Sequence, residues 1–268
     1  MAKVNESMCE FSFGVDRYLA RIGAERPSEL TSASLQKLVR AHLEQVPFEV
    51  LELTEDKTQP SLEPEGLYEK IVVRKRGGYC FELNKLFYLL LKELGFSCYC
   101  VGVRCIIGRP EPVAISHRGI IVKFPGEKWY CDVGFGGNGP KGILNLLDSE
   151  IQTICYERFQ VQQEKGQYVV VYFDSEDRPV RMLKFRDEAY LDVDFNMLNG
   201  YYSVHAKSPF RAKRILYRCL NDGWISFVGT SYTVFRKGLY TTEEIADEVA
   251  QRRLIQNKFG LTIPQWET

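Results

Sequence analysis

Histidine is scarce in this chain. Three stand among 268 residues, alongside four methionines and three tryptophans. The search for a general base therefore narrows to His42, His117 and His205. Net charge is absent as well: 35 Lys plus Arg balance 35 Asp plus Glu. That balance argues against a broad nucleic-acid or anionic-membrane surface, but not against a local basic patch. Long apolar runs are missing too. Leu86–Leu91 falls far short of the ~20 residues that cross a bilayer. The N-terminal stretch Met1–Ser7 has no apolar core of the kind a signal peptide needs. The eight cysteines follow no disulfide-framework spacing, so the chain reads as a reduced, cytoplasmic protein. Zinc is disfavoured: Cys98 and Cys100 share one face of a strand-like run near Cys105, with no His close in sequence to complete a ligand set. Packed strand thiols fit better, and no metal is expected. What remains is a globular composition, 45% hydrophobic and 26% charged, long enough for two or three compact units.

The stretch Arg76-Gly77-Gly78-Tyr79-Cys80-Phe81-Glu82-Leu83-Asn84 stands out. Two glycines break the chain before Cys80, and Phe81 to Leu94 reads as a helix stopped by Gly95. The thiol would sit at a helix N-terminus, where free N–H groups and the macrodipole favour a thiolate. His117 and then Asp132 follow in the order nucleophile, base, orienting carboxylate. This predicts acyl transfer through a cysteine thioester. A buried structural cysteine is the commoner fate of a lone thiol, but the glycines, helix start, His and Asp together favour catalysis. His42 lies on an apolar helical stripe and reads as a core histidine; His205 is the fallback base. Asp132, at the end of an apolar strand, needs a partner. An imidazolium would serve, as would N–H groups of the following loop, which carries Gly134, Gly136, Gly137 and Gly139.

Helices are expected first. Leu35, Leu38, Val39, His42, Leu43 and Val46 form one stripe, capped by Ser32 or Ser34 and ended by Pro47. Leu67, Tyr68 and Ile71 mark a shorter helix. From Ser97 the pattern turns to strands: 97–105, 118–124, 129–133, 159–163, 167–173 and 180–185, with a turn at 125–128. Their regular spacing predicts a small barrel or sandwich. A helix at 196–202, strands at 215–220, 224–228 and 232–236, and a helix at 242–256 capped by Thr241 or Thr242 complete the series.

The cysteine motif, the lone His and Asp132-Val133-Gly134-Phe135-Gly136-Gly137 resemble the arylamine N-acetyltransferase family. Tyr18–Gly23, His42 to Glu49 and Asn199 to Phe210 extend the likeness over nearly the whole chain. Val50 departs from it, standing where the family usually has Asn. The resemblance implies a multi-domain α/β (α+β) fold: a helical bundle (1–95), a β-barrel (96–195) and an α/β lid (196–268). Cys80, His117 and Asp132 would form a triad between the first two. It also implies a ping-pong transfer of acetyl from acetyl-CoA, a co-substrate rather than a bound cofactor, to an arylamine, arylhydrazine or N-hydroxyarylamine, in xenobiotic metabolism. Phe135 and Gly136 would line the shared channel. Phe48 would form an acceptor wall, with core packing as its other reading. Arg76, Glu82 and Asn84 would hold the cysteine turn through a buried ion pair and backbone hydrogen bonds. Arg236 and Lys237 would meet coenzyme A phosphates unless they are simply solvated surface.

Rival readings remain at this stage. One is an amide synthase of the same fold that releases a carrier-bound acyl chain. Another is a thiol peptidase or transglutaminase-like enzyme. A non-catalytic ligand-binding relative would be expected to lose a triad residue, and none is lost.

Overall fold

The computed structural model describes residues 11–262. The chain opens with helices α1 (Val15–Ile22) and α2 (Ser32–Gln45). The apolar stripe of α2 faces inward, with Leu35, Leu38, Val39, His42 and Leu43 buried. Its cap is Thr31 rather than Ser32 or Ser34. The Ser34 N–H donates to Thr31 Oγ1 at 3.2 Å, and Ser34 Oγ accepts from the Thr31 N–H at 3.0 Å. The extra hydroxyl at Thr31 thus begins the helix one residue early. Strand β1 (Phe48–Glu49) follows Pro47. Helix α3 (Pro64–Tyr68) begins with proline and runs on into a wide helical turn, Glu69–Val73.

Helix α4 (Cys80–Leu94) begins at the cysteine itself. Glu82 caps it, accepting from the Tyr79 N–H at 3.1 Å. Gly95 ends it at φ 95°, a conformation that suits glycine. Its side chains Phe81, Leu83, Leu86, Phe87, Leu90 and Leu91 are fully buried. Each such burial contributes about 1.5–3 kcal/mol, so the helix that carries Cys80 is firmly seated.

Eight antiparallel strands come next: β2 (Ser97–Cys105), β3 (His117–Phe124), β4 (Glu127–Cys131), β5 (Leu144–Asn145), β6 (Ile151–Ile154), β7 (Glu157–Glu164), β8 (Gln167–Phe173) and β9 (Pro179–Phe185). They form one sheet in the order β5-β4-β3-β2-β9-β8-β7-β6, a nearly closed barrel. Alternation along the strands divides their side chains. Val101, Tyr130, Phe159, Val170 and Phe185 fill the barrel. Cys98, Cys100, Ile120, Val122 and Cys131 join the helical core with α4. The thiols at 98 and 100 are thus packed as expected, and no metal-binding cluster occurs among the described residues.

Helices α5 (Asp192–Val204) and α6 (Pro209–Ala212) lead to strands β10 (Ile215–Leu220), β11 (Gly223–Val228), β12 (Ser231–Arg236) and β13 (Leu239–Glu244). With β1 these make a second antiparallel sheet, β1-β10-β11-β12-β13. The helix expected at 242–256 is partly wrong. Residues up to Glu244 are strand, because the turn at Lys237 (φ 47°) and Gly238 (φ 86°) folds the chain back on β12. The β-branched Thr241 and Thr242 suit that pairing. Thr242 also shares a 3.1 Å hydroxyl bond with Thr233. Helix α7 (Glu248–Leu254) then starts at its own cap, Asp247, which accepts from the Ala250 N–H at 2.7 Å. No helix among the described residues is long and apolar enough to cross a membrane.

Candidate active site

Three elements converge where α4 begins. Helix α4 supplies Cys80 and, one turn on, Asn84. Strand β3 supplies His117 at its first residue. The end of β4 supplies Asp132. All four residues are buried.

Asp132 is the best-satisfied polar group of the site. Its Oδ2 accepts from His117 Nε2 at 2.6 Å and from the Tyr130 hydroxyl at 2.7 Å. Its Oδ1 accepts from Asn84 Nδ2 at 2.8 Å and from the Gly134 N–H at 3.0 Å. Burial works against the charge. The His117 imidazole and the hydrogen bonds from His117, Asn84 and Tyr130 outweigh it, and the carboxyl stands below its usual range. Both partners weighed from the sequence are therefore present, the imidazole and the glycine-loop N–H. With Nε2 held by Asp132, Nδ1 is the ring nitrogen left for a nucleophile.

Cys80 lies against this assembly. The backbone N–H groups of Phe81 and of Arg118, the residue after His117, favour its thiolate. A Cβ added at Gly134 would come within 2.8 Å of Cys80 Cα, so only glycine lets the loop pass there. The helix start does not by itself yield the low-pKa thiol expected from sequence. Burial pushes the Cys80 thiol well up, and the charges of Cys105 and Asp132 add to that; the two N–H groups act the other way without prevailing. Desolvation outweighs a helix terminus.

The expected channel residues also meet. The Phe135 ring stands edge-on to His117, with centroids 5.4 Å apart. A Cβ at Gly136 would strike the Phe48 ring at 2.7 Å. Phe48 is buried and contacts Phe210 at 6.4 Å between centroids. Both readings of Phe48, core and wall, are thus compatible with its position.

Arg76 and Glu82 do not pair with one another. Arg76 grips Glu49 through Nε at 3.1 Å and Nη2 at 2.8 Å. Glu82 pairs with Lys70 at 2.7 Å. Asn84 holds the aspartate loop: its Oδ1 accepts from the Val133 N–H at 2.9 Å. The other histidines sit in different settings. His42 is fully buried beside the Tyr18 hydroxyl at 3.0 Å, and burial pushes its pKa down to about 3. His205 stacks on Tyr201 at 4.5 Å. Arg236 pairs with Asp222 at 2.8 Å at the exposed β12 turn. A cleft of about 610 Å³ is lined by Glu52, Asp56, Lys70, Arg74 and Arg76, and none of the expected catalytic or channel residues lines it.

A family model described as N-acetyltransferase matches residues 31–267. The arylamine N-acetyltransferase of Escherichia coli K12 is 29% identical, over 93% of this chain and 89% of its own. The chain belongs to the arylamine N-acetyltransferase family. The enzyme's fold agrees. The structure of Mycobacterium marinum arylamine N-acetyltransferase in complex with CoA superposes with a TM-score of 0.86 at 27% identity, covering 92% of each chain. Proansamycin X synthase of Amycolatopsis mediterranei is 31% identical over a shorter reach, 58% of this chain and 60% of its own. Family members transfer acetyl groups to arylamines, and this chain is an acyltransferase of that kind.

Sequence reasoning missed Tyr130 as a second donor to Asp132. The signal was available, since residues i and i+2 of a strand share a face.

Proposed function

We propose that the enzyme acetylates arylamines, arylhydrazines or N-hydroxyarylamines from acetyl-CoA by a ping-pong mechanism, with Cys80, His117 and Asp132 as its catalytic groups. The observation that carries this reading is the 2.6 Å bond from His117 Nε2 to Asp132. It leaves Nδ1 as the base beside the helix that bears Cys80.

The thiol proton passes to His117 Nδ1, and Asp132 stabilises the imidazolium. The Cys80 thiolate attacks the thioester carbonyl of acetyl-CoA. The Cys80 N–H, in the first turn of α4 and outside its internal ladder, supports the oxyanion. The bond to the coenzyme A sulfur breaks, and that sulfur takes the proton from His117. An acetyl group remains on Cys80. The amine nitrogen then attacks, His117 accepts its proton, and the Cys80–carbonyl bond breaks. Arylamines suit this step because their low basicity leaves them unprotonated at neutral pH. Phe135, Gly136 and Phe48 form the wall of the channel that admits donor and acceptor.

We also propose the three-domain division at 95 and 195, and a cytoplasmic location. Initial rates measured against both substrates test the mechanism. Parallel double-reciprocal lines are expected; intersecting lines would mean direct transfer within a ternary complex. An enzyme inert toward acetyl-CoA but acylated by a carrier-bound chain would instead be an amide synthase. The shorter reach of the likeness to proansamycin X synthase favours the acetyltransferase.

A further inference from the structure

Beyond the catalytic groups, the molecule holds a buried cation with an unusual setting. Lys141 follows the glycine loop and is 2% exposed. Its ammonium donates to the Gly137 carbonyl at 2.8 Å and to the Gly139 carbonyl. It pairs with Glu157, the first residue of β7, at 3.2 Å. Beneath it lies the Tyr217 ring of β10, 5.1 Å from ammonium to centroid. One side chain therefore joins the loop, the barrel and the second sheet.

The setting is lopsided. Lys141 has two carbonyls and a carboxylate. Glu157 is also buried, and neither of its oxygens accepts a hydrogen bond. Lys141 is its one ion-pair partner among the described residues. A charge buried on those terms is costly. The same stretch is anchored from α2: Arg40 Nη1 donates to the Lys141 carbonyl at 3.3 Å, and Gln36 Oε1 accepts from the Ile143 N–H at 2.8 Å.

A short chain of contacts leads from Lys141 to the catalytic base. The Gly139 carbonyl that it binds belongs to a residue whose Cβ would strike Phe135 at 2.5 Å. Phe135 packs edge-on against His117. Gly137, its other partner, is next to Gly136, which lies against Phe48.

We propose that Lys141 is a positioning residue. It ties the carbonyls of Gly137 and Gly139 to Glu157 of the barrel, and so sets the spacing of the two aromatic walls, Phe135 and Phe48, that receive donor and acceptor. This rests on the acyl-transfer reading above. The Lys141 ammonium is buried on Gly137, Gly139, Glu157 and Tyr217, none of them a triad residue, so its loss should weaken binding of both substrates more than it slows chemistry.

The test is the charge-neutral double variant Lys141→Met with Glu157→Gln, which removes the pin without stranding a buried charge. KM for acetyl-CoA and for an arylamine should each rise about tenfold, with kcat falling less than about threefold. Alkylation of Cys80 by iodoacetamide should stay within about twofold of the parent, since the triad is untouched. A folded double variant with both KM values unchanged overturns the proposal, as does a loss confined to kcat. If the double variant does not fold, Glu157→Gln carries the test. It leaves Lys141 on the two glycine carbonyls but removes the charge that ties it to the barrel, and both KM values must rise by at least about threefold; unchanged values in a folded variant overturn the pin. A parent that takes no acyl group on Cys80 sinks the acyl-transfer reading and this one with it. An acylated parent with an indifferent double variant sinks the pin alone.

Discussion

Asp132 and Glu82 both lie buried at the end of helix α4 that carries the nucleophile, Asp132 packed against it and Glu82 in its first turn, yet their charges are treated oppositely. Asp132 receives four hydrogen bonds, from His117, Tyr130, Asn84 and Gly134. Its carboxyl stands below the usual range despite complete burial. Glu82 receives two, from Lys70 and the Tyr79 N–H. Its carboxyl is raised to about 7, chiefly by burial and further by the neighbouring charges of Glu52 and Glu49, against the pull of Lys70. The cation does not share this discomfort. Burial acts against Lys70, but Glu82, Glu49 and Glu52 together hold its pKa above the usual value. Lys70 bonds to Glu52 and Glu82 and is well satisfied, while Glu82 gets only a share of it; Glu49 has Arg76 instead. Burial is common to both sites; the donors aimed at each carboxylate and the like charges beside it set the direction of its shift. The side that must hold an imidazolium has the surplus of donors.

The strongest way to break this contrast is Asp132→Asn. An amide presents an NH₂ where one carboxylate oxygen stood. In either orientation two donors then face a donor, at about 1–3 kcal/mol for each unsatisfied group. If the amide oxygen is not turned toward Nε2, the ring proton is driven to Nδ1 and the base is lost. The same change in a serine triad costs about ten-thousand-fold; a thiol, being easier to ionise, should lose less. Acylation rate and thermal midpoint must be read together. Near-normal acylation in a folded variant would reduce the triad to a dyad.

Next in size is the dependence of Cys80 on His117. Burial does most to push the thiol up, and the Phe81 and Arg118 N–H groups oppose it without prevailing; an imidazolium beside the thiol would supply the remaining pull. In the parent, iodoacetamide should inactivate at pH values well below ~8.5, the free-thiol value. In His117→Gln only the two backbone N–H groups oppose burial. The alkylation midpoint should move above ~8.5, and the rate at pH 7 should fall by at least about tenfold. A parent whose inactivation simply follows an ordinary thiol titration has no ion pair at rest.

The smallest effect sharpens the other half of the contrast. Glu82 has a raised folded pKa, so it binds its proton more tightly folded than unfolded. Its contribution to stability is complete below its unfolded value of ~4.3 and is lost as pH rises through about 7. Asp132 behaves oppositely: its contribution is complete above ~3.9 and is lost only as pH falls through its depressed folded value. Glu82→Gln still accepts from the Tyr79 N–H, so turnover should change by less than about twofold. Its thermal midpoint should be flatter than the parent's between pH ~4.3 and about 7. A parallel decline in both proteins would remove Glu82 from the account.

Much of this contrast was legible in the residues, but unevenly. Cys80, His117 and Asp132 stood out because chemistry demands those types in rare places: a thiol after two glycines, one of few histidines, an acid in an apolar strand. The stripe of α2 was legible because burial imposes a 3.6-residue period. The partners of Glu49 and Glu82 were not, since Arg76 and Lys70 are both close at hand and only the path of the chain around α3 assigns them. The start of α7 was misplaced for a related reason. Thr241 and Thr242 serve equally as caps or strand residues, and the tight turn at Gly238 decides between them. Lys141 gave no signal at all. A lysine after Gly-Pro reads as solvated surface until Glu157 and two glycine carbonyls are brought to it.

The claim at the centre of this account is that Cys80 carries the acyl group. Its most direct test is the mass of the intact protein, with peptide mapping, after incubation with acetyl-CoA and no acceptor. The account predicts one added acetyl group, located on Cys80, discharged by an arylamine and absent in Cys80→Ser. Acetylation of any other cysteine, or turnover without an acetylated protein, would contradict it.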